Sequence, residues 1–148
     1  MTSYFAYGAN LNLKALPDRG VMITGYQIGV LPNWKLTFRV IDEEHPGEGF
    51  ATIEPCAHSR VRGLVYRLDG ASLSALDRYE DYPKDYFKTY LNIHIPQPSN
   101  PPLILPCLVY IGQPNRLRDH LLPSANYLHH FIQGMQFLAD PTQKIFFT

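Results

Sequence analysis

Leu91-Asn92-Ile93-His94-Ile95, residues 91–95, alternates apolar and polar side chains with a period of two. A pleated chain buries the leucine and isoleucines on one face and leaves the other wet. The stretch ends a longer strand candidate, 87–95, and a turn at 97–102 rich in Pro, Ser and Asn separates it from the apolar run 104–111, its expected partner. The same reading, carried outward, marks strands at 2–7, 26–31, 35–40, 50–53 and 60–68, each stopped by Pro, Gly, Asn or Asp. Two segments break the pattern. Residues 72–80 are helical by composition, with Ser72 as expected N-cap and Pro83 blocking continuation. A second helix opens at Ser124 and carries Leu128, Phe131, Ile132, Met135 and Leu138 as an apolar stripe expected to pack on the sheet. Asn10 is expected to cap a short helical segment, 11–16, closed by Pro17. About six or seven short, mostly antiparallel strands with a few helices predict an α+β fold, a small β-barrel with short helices on its rim; an open sheet satisfies the same pattern.

Composition narrows the function classes. The 148 residues are expected to form a single domain, 1–148, with its own core. Thirteen Lys+Arg balance thirteen Asp+Glu, so no charge excess draws the chain to a phosphate backbone or an anionic membrane face. Partners are therefore expected to be neither nucleic acid nor membrane. Prolines cut the apolar runs well short of the roughly 20 residues that span a bilayer, and residues 1–16 lack a basic segment followed by a long apolar one. Cys56 and Cys107 form one bridge at most, and a domain of this size needs none, so a reduced, cytoplasmic setting is expected.

Glu80 is the most informative polar residue. At about 100° per residue, Leu73, Leu76 and Glu80 fall within an arc of about 60°, so the carboxylate shares the apolar face of its helix. Asp77 and Arg78 fall nearer the edge and read as surface charges. Burial disfavours the ionised form and raises a carboxyl pKa toward neutrality, where the group can both take and give a proton. The alternative is that the last turn unwinds before Pro83 and Glu80 faces water. A second feature is Tyr7-Gly8-Ala9-Asn10-Leu11, between a strand and a short helix. There the glycine would admit a backbone conformation closed to other residues, and the following amides would converge on a carboxylate; the bland reading is a simple turn.

These features occur together in a known family. Tyr4-Phe5-Ala6-Tyr7-Gly8-Ala9-Asn10-Leu11 resembles the YFAYGSNL opening of the γ-glutamylcyclotransferases, and Gly49-Phe50-Ala51-Thr52-Ile53 and Val61-Arg62-Gly63-Leu64-Val65-Tyr66 resemble two of their strands. Leu76-Asp77-Arg78-Tyr79-Glu80 is similar to their LDxxE helix, with Tyr86 following at the family's spacing. Val109-Tyr110 and Pro123-Ser124 with Tyr127 resemble the closing strand and last helix. The resemblance implies a β-barrel (AIG2-like) fold and an activity that releases 5-oxoproline from a small γ-glutamyl compound without a cofactor or metal. It implies Glu80 as the catalytic acid/base. Tyr7, Gly8, Ala9, Asn10 and Leu11 would hold the substrate α-carboxylate, and Tyr86 and Tyr110 would line the pocket. Two positions depart from the family: Ala9 stands where it usually has Ser, and Asp81 where Gly commonly follows the glutamate.

The chemistry suits these residues. A γ-glutamyl amide carries its own nucleophile, an α-amino group that is mostly protonated near neutral pH. One base can free it and later protonate the departing amine. Other classes lack their signatures: no GxSxG, P-loop or GxGxxG occurs, and His45, His58, His94, His120, His129 and His130 show no ligand spacing. Both cysteines read as small core residues, and Glu54, before Pro55, reads as structural. Two alternatives stay open: a related enzyme that removes a γ-glutamyl protecting group in a biosynthetic pathway, and a non-catalytic barrel that binds a carboxylate. The leaving-amine side is expected to be built from the loops 42–48 and 113–123.

Overall fold

In a computed structural model, described here for residues 1–139, the 87–95 and 104–111 segments pair as expected. Strands β4 (Tyr86–Gln97) and β5 (Asn100–Gly112) run antiparallel, with Ile93 opposite Leu105 and Pro98-Ser99 as the connection. The pleat sorts the side chains: Ile93 and Ile95 are buried while Tyr90 is 61% exposed. The other strands are β1 (Thr2–Ala6), β2 (Tyr26–Ile41) and β3 (Gly49–Leu68). The seven expected segments are therefore five strands. Residues 26–31 and 35–40 merge into β2, and 50–53 and 60–68 merge into β3. The Pro and Asn taken as strand ends instead mark a bulge: the β2–β3 register shifts between Pro32 and Trp34, and Asn33 takes a φ of 66°. A bulge absorbs a proline because no ladder donor is needed there.

The order β1-β3-β2-β4-β5 closes into a barrel. Closure comes from a parallel pairing of β1 with β5, Tyr4 opposite Leu108. Alternation along β1 and β3 separates two apolar clusters. Tyr4, Ala6, Leu64, Tyr66 and Leu68 join one, and Phe5, Tyr7 and Val65 join the other.

Helix α1 (Gly70–Tyr79) docks on the first cluster through Ala75 and Leu76. Its N-cap is Asp69, not Ser72: the Asp69 side chain accepts from the Ser72 amide at 2.8 Å. Ser72 is instead buried, and its hydroxyl accepts from the Met22 amide at 2.9 Å, tying the helix to the incoming chain. Helix α2 (Ala125–Ala139) begins after Ser124, whose hydroxyl accepts from the Tyr127 amide. Its expected stripe holds at two of five positions. Phe131 and Leu138 pack inward, but Ile132 and Met135 are 62% and 42% exposed and Leu128 is also outward. Tyr127 and Phe131, one turn apart and stacked at 6.4 Å, share the inner face instead. Asn12 anchors that face by donating to Gln133 Oε1 at 2.8 Å and meeting His130 Nδ1 at 3.0 Å.

Cys56 and Cys107 are both free; Cys107 is buried, and Cys56, expected in the core, is half-buried. Glu54 accepts from Thr37 at 2.6 Å and pairs with Arg39, a tie across the β2–β3 ladder. Among the described residues no helix is long and apolar enough to cross a membrane.

Candidate active site

A cavity of about 600 Å³ opens between the end of β1, the end of α1 and the start of α2. Glu80, Tyr7, Gly8, Ala9, Asn10, Tyr86 and Tyr110 all line it; Leu11 does not. Leu11 is fully buried in the core, and its amide donates to the Gly8 carbonyl at 2.9 Å. This corrects the expectation that it faces a ligand. The Ala9–Leu11 segment is one 3-10 turn, so the amides of Ala9 and Asn10 have no carbonyl within the turn to bond to.

Gly8 serves the loop through both backbone and space. Its φ of −123° and ψ of −131° lie outside the extended, right-handed and left-handed regions, in keeping with the expected conformational role. A Cβ there would sit 2.5 Å from the Tyr127 hydroxyl and 3.3 Å from Ala51 Cβ. Gly8→Ala is expected to displace Tyr127, destabilise the fold by about 1–3 kcal/mol and weaken substrate binding, read by urea denaturation and by KM.

Asn10 also departs from expectation, since its side chain makes no cap. It is buried, and its Nδ2 donates to Glu80 Oε1 at 2.9 Å and to the Tyr4 hydroxyl at 3.0 Å. Arg19 Nη1 donates to Asn10 Oδ1 at 2.5 Å, and the Tyr66 hydroxyl donates to the Asn10 carbonyl at 2.5 Å. An amide has donors and an acceptor on one short stem, so it can join a carboxylate to a guanidinium.

Glu80 lies just past the end of α1, but the helix does not unwind before it. Its amide still donates to the Leu76 carbonyl at 2.8 Å, and the side chain therefore follows the apolar face inward. Burial pushes its carboxyl pKa from an ordinary 4.5 to about 7; Arg19 and the Asn10 hydrogen bond oppose that rise, and nearby Asp85 adds to it. Asp81 is exposed, 3.9 Å from Lys84, at a φ of 50°. That left-handed backbone explains the glycine usual in the family, and aspartate tolerates it better than most side chains.

The tyrosines divide by whether their hydroxyl protons are engaged. Tyr7 donates to the Tyr110 carbonyl, Tyr86 to the Ala51 carbonyl and Tyr110 to Asp77 Oδ1, each at 2.6 Å. They shape the wall rather than offer a proton to a ligand. Asp77, read as a surface charge, also pairs with Lys88 at 2.9 Å. It clamps the Glu80 helix to β4 and β5. The Tyr127 hydroxyl is buried without a partner at bonding distance, and the Ala9 amide faces it. It was not among the expected site residues. Its position four residues before Phe131 was the available signal. Arg19, in the turn Pro17-Asp18-Arg19-Gly20, was likewise missed.

The mouth is formed by Asp42, Glu43 and Glu44 of the first expected loop and by Arg116 of the second. Arg116 joins Glu43 at 2.6 Å to Asp85 at 3.0 Å. In the same loop, ligand atoms of Asp42, His45 and Glu48 lie within 4.8 Å of one another, a grouping not expected from spacing. His45 is held there by Asp42 at 2.9 Å.

Comparison with known proteins agrees with this architecture. The γ-glutamyl cyclotransferase, AIG2-like family profile matches residues 4–129. A 61-residue stretch is 33% identical to the γ-glutamyl cyclotransferase gliK of Aspergillus fumigatus, covering 41% of this chain and 22% of that protein. A solved structure described as a γ-glutamyl cyclotransferase superposes with a TM-score of 0.78 at 20% identity, over 95% of this chain and 82% of the other. An uncharacterized protein from Homo sapiens gives 0.75 at 21% identity, over 95% and 81%. The chain thus belongs to the γ-glutamyl cyclotransferase, AIG2-like family.

Proposed function

We propose that this protein cyclises a γ-glutamyl compound, releasing 5-oxoproline and a free amine, with Glu80 as the single acid/base. One observation carries the reading. A carboxyl with a pKa of about 7 opens into the same cavity as the amide-rich Gly8–Asn10 turn. The α-carboxylate of the substrate would rest on the Ala9 and Asn10 amides and take a hydrogen bond from Tyr127, whose buried hydroxyl has no partner at bonding distance. Because backbone N–H groups do the gripping, Ala9 can stand where the family usually has Ser.

Ionised Glu80 accepts a proton from the α-ammonium group. The freed nitrogen attacks the γ-carbonyl carbon, forming the ring C–N bond. Protonated Glu80 then gives its proton to the amide nitrogen as the old C–N bond breaks, and the surplus proton of the ring nitrogen, taken up by the regenerated carboxylate, passes to the amine, which departs as ammonium. Atoms balance without water: one γ-glutamyl amide becomes 5-oxoproline and an amine. Attack is intramolecular, so holding the carboxylate and folding the chain until nitrogen and carbonyl meet at roughly 3–3.5 Å carries much of the rate. Tyr4, Tyr7, Tyr86, Tyr110 and Tyr127 all have pKa values raised by burial. They stay neutral through the working range, whereas Glu80, at about 7, titrates within it. The leaving amine exits through the mouth formed by 42–44 and Arg116.

Incubation with γ-glutamyl-alanine, followed by chromatography, is expected to yield 5-oxoproline and alanine in equal amounts. Tight binding without turnover across a panel of γ-glutamyl amines would instead favour the carboxylate-binding barrel. Turnover confined to one conjugate would favour the dedicated deprotecting enzyme.

A further inference from the structure

We infer that Arg19 is a positioning residue: acting through Asn10, it fixes which carboxylate oxygen of Glu80 is tied to the protein and which faces the cavity. The inference rests on the reading of Glu80 as the acid/base. It starts from a local turn. Pro17 opens a 3-10 turn, Pro17–Arg19, and Gly20 ends it at φ 80°, with its amide donating to the Pro17 carbonyl. The left-handed cap reverses the chain and leaves Arg19 beside the cavity, its guanidinium 4.1 Å from the centre of the Tyr79 ring. Among the described residues no carboxylate lies within ion-pairing distance of Arg19.

What Arg19 does hold is an amide oxygen. A carboxamide can turn over, and the two orientations are nearly equal in shape. With Nη1 donating to Asn10 Oδ1 at 2.5 Å, the Asn10 NH₂ must face the other way, toward Glu80 Oε1 at 2.9 Å and the Tyr4 hydroxyl at 3.0 Å. Turned over, Asn10 would set an oxygen against the carboxylate and an NH₂ against the guanidinium. Arg19 thereby converts a symmetric side chain into a one-way donor. Oε1 is tied, and Oε2 is left to exchange the substrate proton.

The charge acts in the same direction. The groups facing Glu80 from other elements are Tyr4 of β1, Tyr7 beyond it, Tyr86 of β4, Tyr110 of β5 and Tyr127 of α2, all neutral in this range. Asp85 before β4 disfavours the carboxylate, and Tyr79 precedes Glu80 on its own helix. Arg19 is the cation that favours it.

The test is a carbon-13 titration of the Glu80 carboxyl in the full chain, assigned by its loss in Glu80→Gln, alongside the pH profile of kcat/KM for γ-glutamyl-alanine. Arg19→Gln is expected to raise the Glu80 midpoint by about one pH unit and move the acid limb with it. Arg19→Met, which keeps a stem over Tyr79, should do the same, and Arg19→Lys should restore the midpoint. If the midpoint stays in place in Arg19→Gln and Arg19→Met, the inference is overturned. A midpoint that moves while no 5-oxoproline forms would uphold the coupling and overturn the catalytic reading, so the two failures are distinct.

Discussion

Glu80→Gln is expected to lower kcat for 5-oxoproline release by about 10³-fold while leaving the melting temperature close to that of the unsubstituted protein. The substitution preserves shape, and Asn10 Nδ2 can still donate to a side-chain oxygen at that position. What disappears is the capacity to accept a proton from an ammonium group and return it. The alternatives are otherwise engaged: the tyrosines are neutral with raised pKa values, Asp85 is held by Arg116 at 3.0 Å, and His130, which also lines the cavity, meets Asn12 Nδ2 through Nδ1 at 3.0 Å. KM should change little, because the carboxylate grip lies in the Gly8–Asn10 turn. A folded Glu80→Gln protein that turns over γ-glutamyl-alanine at close to the normal rate would end the acid/base account.

The same carboxyl should also be visible in stability. Its pKa is raised in the folded protein, to about 7, above its ordinary 4.5. The folded state therefore binds the proton more tightly than the unfolded chain does. Its contribution to stability is fully present below about pH 4.5 and is lost as pH rises toward about 7. The total loss is up to about 3 kcal/mol, at 1.36 kcal/mol per pKa unit. Carboxylates held below their usual range, such as Asp69 at the α1 cap, act in the opposite direction. The quantity to measure is thus the difference in unfolding free energy between the unsubstituted protein and Glu80→Gln. That difference should shift against the unsubstituted protein from pH 4.5 to 7 and level off above. A difference independent of pH would mean that Glu80 titrates as a solvent-facing carboxylate.

How these groups meet was partly legible in the residue pattern. The 91–95 alternation identified a half-buried strand because side-chain direction in a strand follows from a two-residue period. The same kind of counting put Glu80 on the face of Leu73 and Leu76, because a helix turns through a fixed angle per residue. Bulges were not legible. Pro32 and Asn33 look the same at a strand end and inside a strand that bends, and only a partner strand continuing alongside tells the two apart. The α2 stripe failed for a related reason: its apolar residues cover more of the circumference than one interface can bury. The contact with the Ala9–Leu11 turn and the packing of Tyr127 and Phe131 selected the inner face.

By itself the sequence determined most of the element types, the charge balance that disfavours polyanionic partners, and the place of Glu80 on the helical face of Leu73 and Leu76, since these follow from short-range periodicity and composition. Tertiary structure alone decided what that carboxyl meets. Tyr4, Asn10, Arg19 and Tyr127 come from three separate stretches of chain, and their distances to Glu80 and the Gly8 turn are set by barrel closure and helix docking. Hydrogen-bond partners are chosen by ångström-scale geometry. Thus Asn10, read as a cap, became the buried link between a guanidinium and the acid/base, and Asp77, read as a surface charge, became the clamp that holds the Glu80 helix in place.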